Sequence, residues 1–385
     1  MAWLSHSFGY DDDFMYLEAI LAGFCRRFTQ TRIIVEPKML AKNEAGLPLA
    51  PWLRTKTLTL RRPSADGDYG RSLELPGPGL IPRLLRYRPA LLILYDFSRV
   101  TWLGALIAAA LGRRCRVLLL VEGDPAFRGR RHGRLQGAIR RLIAHQASVV
   151  MTNNAAGGAY LTKTLGVGAD KLVVRPYLTS VPPVAPPPEE GLFRGRDGES
   201  RVRFLFLNSI TPRKGLDCLI RAVAVLDAGR RRRLAVRVVG DGAARAGCAQ
   251  LAAELGVAGV FTFSGAVPWR QVGDAYAAAD VLVAPSRRDY RSLVGFEALA
   301  CGLPVIASVY DGAAEEVVEP GSNGFIVDPH DADALAASLA WFVDRPEARP
   351  QMAAASRRIA RRFTVERVVA NLVEAGRLAL SRPPG

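Results

Sequence analysis

The sequence predicts an α/β protein built from two doubly wound domains with parallel sheets. Three observations predict it. The chain has 385 residues, more than a single hydrophobic core usually organises. Short, wholly apolar runs alternate with segments of helical period in each half, as expected of strands covered by helices on both faces. A stretch at 176–188, PYLTSVPPVAPPP, carries six prolines and divides the two series, because proline fits neither a helix interior nor a central strand.

The first series runs ALLILY (90–95), a helix near 102–111, RVLLLV (116–121), a helix near 133–145 and SVVMT (148–152). The proline stretch and the charged EEGLFRGRDGES behind it predict a linker, which sets a first domain at 1–180, a linker at 181–200 and a second domain at 201–350. In the second domain the alternation restarts with VRFLFL (202–207), a helix near 215–228, LAVRVV (234–239) and a helix near 246–255. It continues with a strand at 260–263, a helix near 271–278, VLVA (281–284), a helix near 293–300 and PVIA (304–307). The remaining 351–385 belongs to a long helical pattern at 349–380, basic at Arg357, Arg358, Arg361 and Arg362, that either packs back on the first domain or caps its own.

Composition narrows the class. Apolar residues make up 49% and charged residues 23%, the balance of a packed globular protein. The start, MAWLSHSFGYDDDF, lacks the basic stretch and apolar run of a leader. The apolar stretch at 103–121 is interrupted by Arg113, Arg114 and Arg116, too early for a membrane span. A cytoplasmic protein, peripheral at the inner face of the membrane, is the expectation. Cys25, Cys115, Cys218, Cys248 and Cys301 are odd in number and far apart, so neither disulfides nor structural zinc are expected.

The net charge of +16 is uneven. Residues 1–180 hold 26 Lys/Arg against 13 Asp/Glu, whereas 181–385 hold 26 against 23. The clusters Arg83/Arg86/Arg88, Arg113/Arg114/Arg116 and Arg128/Arg130/Arg131/Arg134 make a field that attracts polyanions or anionic lipid. A solvated arginine-rich surface gives the same charge, so the field alone names no partner.

Chemistry concentrates at the ends of predicted strands in the second domain, where open α/β sheets bind ligands. NSITPRK (208–214) follows VRFLFL directly and leads into Gly215 and a helix, so Arg213 and Lys214 stand beside free backbone N–H groups and a positive helix end, a site for phosphate. It is not a Walker loop. Gly240–Asp241–Gly242 is a strand-end turn that lacks the third glycine of a dinucleotide fingerprint. In APSRRDYRSLVGFEALACGLPVIAS (284–308), Asp289 lies on the loop before a helix and Glu297 one turn inside it. The N–H groups of Leu293 and Val294 can hold a phosphate, Glu297 can accept from ribose hydroxyls, and Asp289 can face a sugar.

Asp289-x7-Glu297 followed by ALACGLPVIAS resembles the E-x7-E region of glycosyltransferase family 4, the large retaining GT-B group. FLFLNSITPRKGLDCLIRA, VVGDG, FTFSGAV, DVLVAPS and GAAEEVVEPGSNGFIVDP extend the likeness in the family's order over 203–329. Before residue 180 it rests on strand order and ASVVMTNNAAGGAYLTKTLGVGADKLVVRP; no glycine-rich loop is recognisable in SHSFGYDDD, and Glu122–Gly123–Asp124 stands where a histidine often occurs. The resemblance implies two Rossmann-like domains facing across a cleft in the GT-B architecture. It also implies sugar transfer from a nucleotide-sugar with retention, without metal or other cofactor, the leaving diphosphate being stabilised by Arg213 and Lys214. Ser209 and Gly240 fall in the family's donor-binding segments. Three departures bear on donor handling: Asp289 replaces the first Glu, Arg291–Ser292 replace Phe-Gly, and Ser209 lies where an Arg often precedes the Lys.

The basic first half suggests a lipid-linked or glycan acceptor in envelope or extracellular polysaccharide synthesis, with peripheral contact to an anionic membrane. Two other classes stand beside this reading. A catalytically silent sugar-nucleotide-binding subunit would explain the altered donor loop, and donor hydrolysis separates it from an enzyme. A basic nucleic-acid-binding protein is suggested by charge alone, against the lack of any recognition motif, so nucleic acid is not an expected partner.

Overall fold

The structure, a computed structural model, describes residues 1–4, 14–43, 46–61, 71–122, 133–182, 193–194 and 200–382. It divides into two compact units. The first comprises Met1–Arg62, Gly70–Thr179 and Thr364–Gly385, the second Ser180–Phe363.

The first unit opens with β1 (Ala2–Leu4), α1 (Phe14–Arg27), β2 (Arg32–Ile34) and β3 (Leu49–Ala50). β4 (Thr55–Arg61) and β5 (Arg71–Pro76) form a separate antiparallel pair, followed by α2 (Leu80–Tyr87). Then come β6 (Leu91–Tyr95), α3 (Arg99–Leu111), β7 (Arg116–Val121), α4 (Arg134–Gln146), β8 (Val149–Thr152), α5 (Ala155–Lys163) and β9 (Leu172–Val174). Seven parallel strands lie in the order β3-β2-β1-β6-β7-β8-β9. Alternate residues face opposite sides: Leu92, Leu94, Val117 and Leu119 share one core with Leu84, Ile107 and Ile143 of α2, α3 and α4.

The second unit holds β10 (Phe193–Arg194), β11 (Ser200–Leu207), α6 (Leu216–Val225), α7 (Ala228–Arg232), β12 (Leu234–Val239), α8 (Arg245–Glu254), β13 (Phe261–Gly265), α9 (Val272–Ala277) and β14 (Val281–Ala284). It continues with α10 (Val294–Ala300), β15 (Val305–Ser308), α11 (Ala314–Val317), β16 (Gly324–Val327), α12 (Ala332–Asp344) and α13 (Arg349–Ala360). The sheet order is β13-β12-β11-β14-β15-β16, all parallel. The chain steps outward from β11 to β13, then returns to its other side at β14.

Two expectations are corrected. The helix foreseen near 215–228 ends earlier, as α6 at Val225, and Asp227 instead caps the separate α7 by accepting from the Arg230 N–H at 2.9 Å. Within the linker, Phe193 and Arg194 pair antiparallel with the start of β11, a short pairing outside the central strands. The rest of it, 183–192 and 195–199, lies outside the described residues, as do Ser5–Asp13, Gly123–Asp124 and Arg128, Arg130 and Arg131. The pattern at 349–380 is α13 and a separate α14 (Val365–Ser381), because Thr364 turns extended and caps the second helix by accepting from the Arg367 N–H. Residues up to Phe363 stay with the second unit, and α14 packs against α1 and the sheet of the first.

Candidate active site

β11 lies in the middle of its sheet, between β12 and β14, so its carboxyl end is the point at which strand order reverses. Loops diverge there and leave a crevice for ligands. Asn208–Gly215 occupies this point. Pro212–Lys214 form one 3-10 turn, and Gly215, at φ 71°, hands the chain to α6. A Cβ on Gly215 would stand 2.0 Å from the Pro285 carbonyl oxygen, so glycine alone lets the loop after β14 approach. Gly240, at φ 138°, does the same for β12, with a Cβ 1.9 Å from the Asn208 carbonyl oxygen.

The Lys214 ammonium is 2.5 Å from Asp289 Oδ2, both groups buried. Arg213 Nη1 stands 3.5 Å from Asp289 Oδ1 and donates to the Arg288 carbonyl at 3.0 Å. Arg287 returns the tie, its N–H donating to the Arg213 carbonyl at 2.8 Å while its guanidinium grips Asp217 at 2.6 and 2.5 Å. Burial works against ionisation of Asp217, but the Arg287 hydrogen bonds prevail and hold its carboxyl below the usual range. The two predicted cations and the first predicted carboxylate are thus one cluster, closed across 75 residues of sequence. Ser209 is exposed on the same loop, its N–H taken by the Asn208 side chain at 3.1 Å.

Leu293 is the N-cap and Val294 the first residue of α10, both half-buried. Glu297, buried in the same helix, is held on both oxygens: Oε1 accepts from Ser180 Oγ at 2.6 Å and Trp269 Nε1 at 3.4 Å, Oε2 from the Tyr276 hydroxyl at 2.6 Å. Burial, then the Glu297 charge, push the Tyr276 phenol well above its ordinary value, so it stays a proton donor to that carboxylate. Arg291, one of the residues in place of Phe-Gly, has no exposed side-chain surface. It meets Glu316 in two hydrogen bonds, 2.9 and 2.8 Å, and its guanidinium lies 4.0 Å over the Phe296 ring.

Sequence reasoning missed Asp311. Its Oδ1 accepts from the Ser292 N–H at 3.0 Å and the Ala313 N–H at 2.9 Å, and its backbone bridges to that of Asp289. The signal was an acidic residue just past the carboxyl end of β15, where the sheet's ligand side begins. Burial, then neighbouring Asp289, push its carboxyl up to about 6, against the two N–H groups and Lys214. A folded value above the ordinary 3.8 favours the neutral acid in the fold, so its contribution is complete below about pH 4 and is lost as pH rises through about 6. The ionised form then costs at most about 3 kcal/mol. Asp311→Asn keeps an acceptor without the charge, and is expected to be more stable than wild type above about pH 7 and no different below about pH 4. Urea midpoints across that range check this; a pH-independent difference would refute it.

Among the described residues no three His, Cys, Asp or Glu side chains come together as a metal could use them. Residues 193–359 match the family model of the glycosyl transferases group 1. A D-inositol 3-phosphate glycosyltransferase of Thermomonospora curvata is 34% identical over 276 residues, which cover 66% of this chain and 61% of the relative. One from Streptomyces griseus is 36% identical over 264 residues, covering 63% and 55%. The chain thus spans 61% or less of the length of these curated relatives. Anabaena HepE in complex with UDP superposes with a TM-score of 0.70 at 18% identity, over 97% of both chains. The fold is GT-B. WaaG, a glycosyltransferase involved in lipopolysaccharide biosynthesis, shares this GT-B fold with a TM-score of 0.66 at 16% identity, over 97% of this chain and 99% of its own. The cluster around Lys214 and Asp289 therefore lies inside the segment that matches the group 1 model.

Proposed function

We propose that this chain is a retaining glycosyltransferase that takes a sugar from a nucleoside-diphosphate donor, uridine diphosphate being the first nucleotide to test, since HepE is in complex with UDP. The observation that carries the reading is the Arg213–Lys214–Asp289 cluster at the strand-order reversal of the second unit. An ammonium has three donors and Asp289 engages one, which leaves two for diphosphate oxygens. Negative charge grows on the leaving diphosphate as the glycosidic bond breaks. Cations already in place there stabilise it without reorganisation, by about 3–4 kcal/mol for a well-placed donor. Arg213 and Lys214 fill the role a metal ion would otherwise have. The N–H groups of Leu293 and Val294 add a second hold on phosphate, Gly240 and Ser209 border the crevice, Glu297 takes the ribose by exchanging its Ser180 or Trp269 contact for ribose hydroxyls, and Asp289 faces the sugar.

For the acceptor we propose a lipid-linked or glycan molecule of envelope or extracellular polysaccharide synthesis, supported by the basic first 180 residues. A phosphorylated cyclitol is the second reading, favoured by the names of the curated relatives.

Nucleotide-sugars are tested first by thermal shift, since a ligand at 100 times its Kd stabilises by about 2.7 kcal/mol. The stabilising donor then enters turnover assays in chelator, where activity is expected to persist. Activity lost in chelator and restored by magnesium or manganese would exclude a metal-free site. Glu297→Gln is expected mainly to raise KM for donor, because a ribose contact exists in ground and transition states alike. A fall in kcat at constant KM would move Glu297 from the ribose to the reacting centre. Stabilisation by a nucleotide-sugar with neither transfer nor hydrolysis would favour a silent binding subunit.

A further inference from the structure

Helices α2, α3 and α4 of the first unit lie side by side over one face of its sheet. Their inward residues, Leu84, Ile107 and Ile143 among them, are buried in the common core. Their outward faces mix polar residues with large exposed apolar ones, which a solvated helix face usually lacks. Leu135 is 76% exposed, Leu106 and Leu142 68% each, with Ile81 and Leu85 exposed beside them on α2. Leu135 and Leu142 are seven residues apart and share one side of α4. None of the three helices contains an acidic residue. Arg134 and Arg141 flank the two leucines, and Arg83, Arg86, Arg113 and Arg114 extend the exposed positive border.

We infer that the outer surface of α2, α3 and α4 docks this protein on an anionic lipid bilayer, the leucines entering the acyl boundary and the arginines meeting headgroup phosphates. Two features select a bilayer over a soluble polyanion. Charge complementarity with a polyanion explains the arginines but not leucines projecting from the same faces. A helix with apolar residues amid cations on its outer side matches instead the layered polarity of a membrane interface, apolar below and anionic above. Attachment is peripheral: no described helix is long and apolar enough to cross a membrane.

The test is flotation of the full chain with phosphatidylcholine vesicles and with phosphatidylcholine vesicles containing phosphatidylglycerol. Wild type is expected to float with the anionic vesicles and to detach as salt rises. Leu135→Ser with Leu142→Ser is expected to weaken partitioning roughly tenfold per leucine. Arg134→Glu with Arg141→Glu is expected to abolish the preference for anionic vesicles. Unchanged thermal unfolding in both variants establishes that the surface alone was altered. Equal flotation with neutral vesicles, or none with either, overturns the inference. Binding lost in the arginine variant but intact in the leucine variant would make this a polyanion surface. A wild-type dimer in solution that the leucine variant converts to monomer would assign the face to a second copy. Flotation needs no donor turnover, so the result stands apart from the proposed transferase activity.

Discussion

Lys214→Ala is expected to lower kcat/KM for the donor roughly a hundred- to a thousandfold, the usual loss when a preorganised donor to developing charge is removed. It is also expected to destabilise the protein by about 3–5 kcal/mol, because a buried carboxylate loses its nearest counter-charge. Asp289 would keep Arg213 at 3.5 Å but lose the ammonium at 2.5 Å, with acidic Asp311 beside it. The second effect can masquerade as the first, and a double variant separates them. Lys214→Ala with Asp289→Asn removes both charges and should recover much of the stability without recovering turnover. Chemical denaturation, UDP affinity and steady-state kinetics are the readouts. Turnover restored in the double variant would show that Lys214 only neutralises Asp289; wild-type kinetics in the single variant would end the diphosphate assignment. Asp289→Asn alone is expected to reduce kcat, since it loosens both cations as well as any sugar contact.

Glu316→Ala is expected to cost about 3–5 kcal/mol, comparable to breaking a buried ion pair elsewhere. The Arg291 guanidinium, with no exposed side-chain surface, loses a bidentate partner in a place where water cannot substitute. Since Arg291 sits between Asp289 and α10, its displacement should also raise KM for donor. Glu316→Gln keeps one neutral hydrogen-bonding edge and should cost less. Exchanging the pair for apolar residues of similar volume, Arg291→Met with Glu316→Leu, should restore stability if the pair serves only the fold. Urea midpoints rank the three. Glu316→Ala within about 0.5 kcal/mol of wild type, the range of an ordinary surface change, would contradict the burial argument.

Strands such as RVLLLV, LAVRVV and VLVA could be read to the residue, because each is a short apolar run bounded by turn-forming residues. The ends of the first sheet could not: β1, β2 and β3 are two or three residues long, too short to express a period. In the site, the basic turn at 213–214 and the acidic pair at 289 and 297 stand out individually by chemistry and by their place after strands. What they touch depends on long-range closure. Asp289 reads as facing a sugar yet meets Lys214 across the sheet; Glu297 reads as an acceptor for ribose hydroxyls yet is held by Ser180, Trp269 and Tyr276. Asp311 was hidden for the same reason, since its importance lies in N–H groups of Ser292 and Ala313 that sheet topology, not local spacing, delivers to it.

The last helix has a bearing on how the chain is made. α14 buries Val368, Leu372, Ala375 and Ala379 against the first unit and touches β6, β7 and β8, so part of the cover for that sheet is encoded after the whole second unit. During synthesis the apolar face awaiting α14 remains bare while residues 180–363 are added, an interval of roughly ten to forty seconds at ordinary elongation rates. For that time the nascent first unit offers a natural client surface to ribosome-bound chaperones, and slower elongation through the second unit would lengthen its exposure to them.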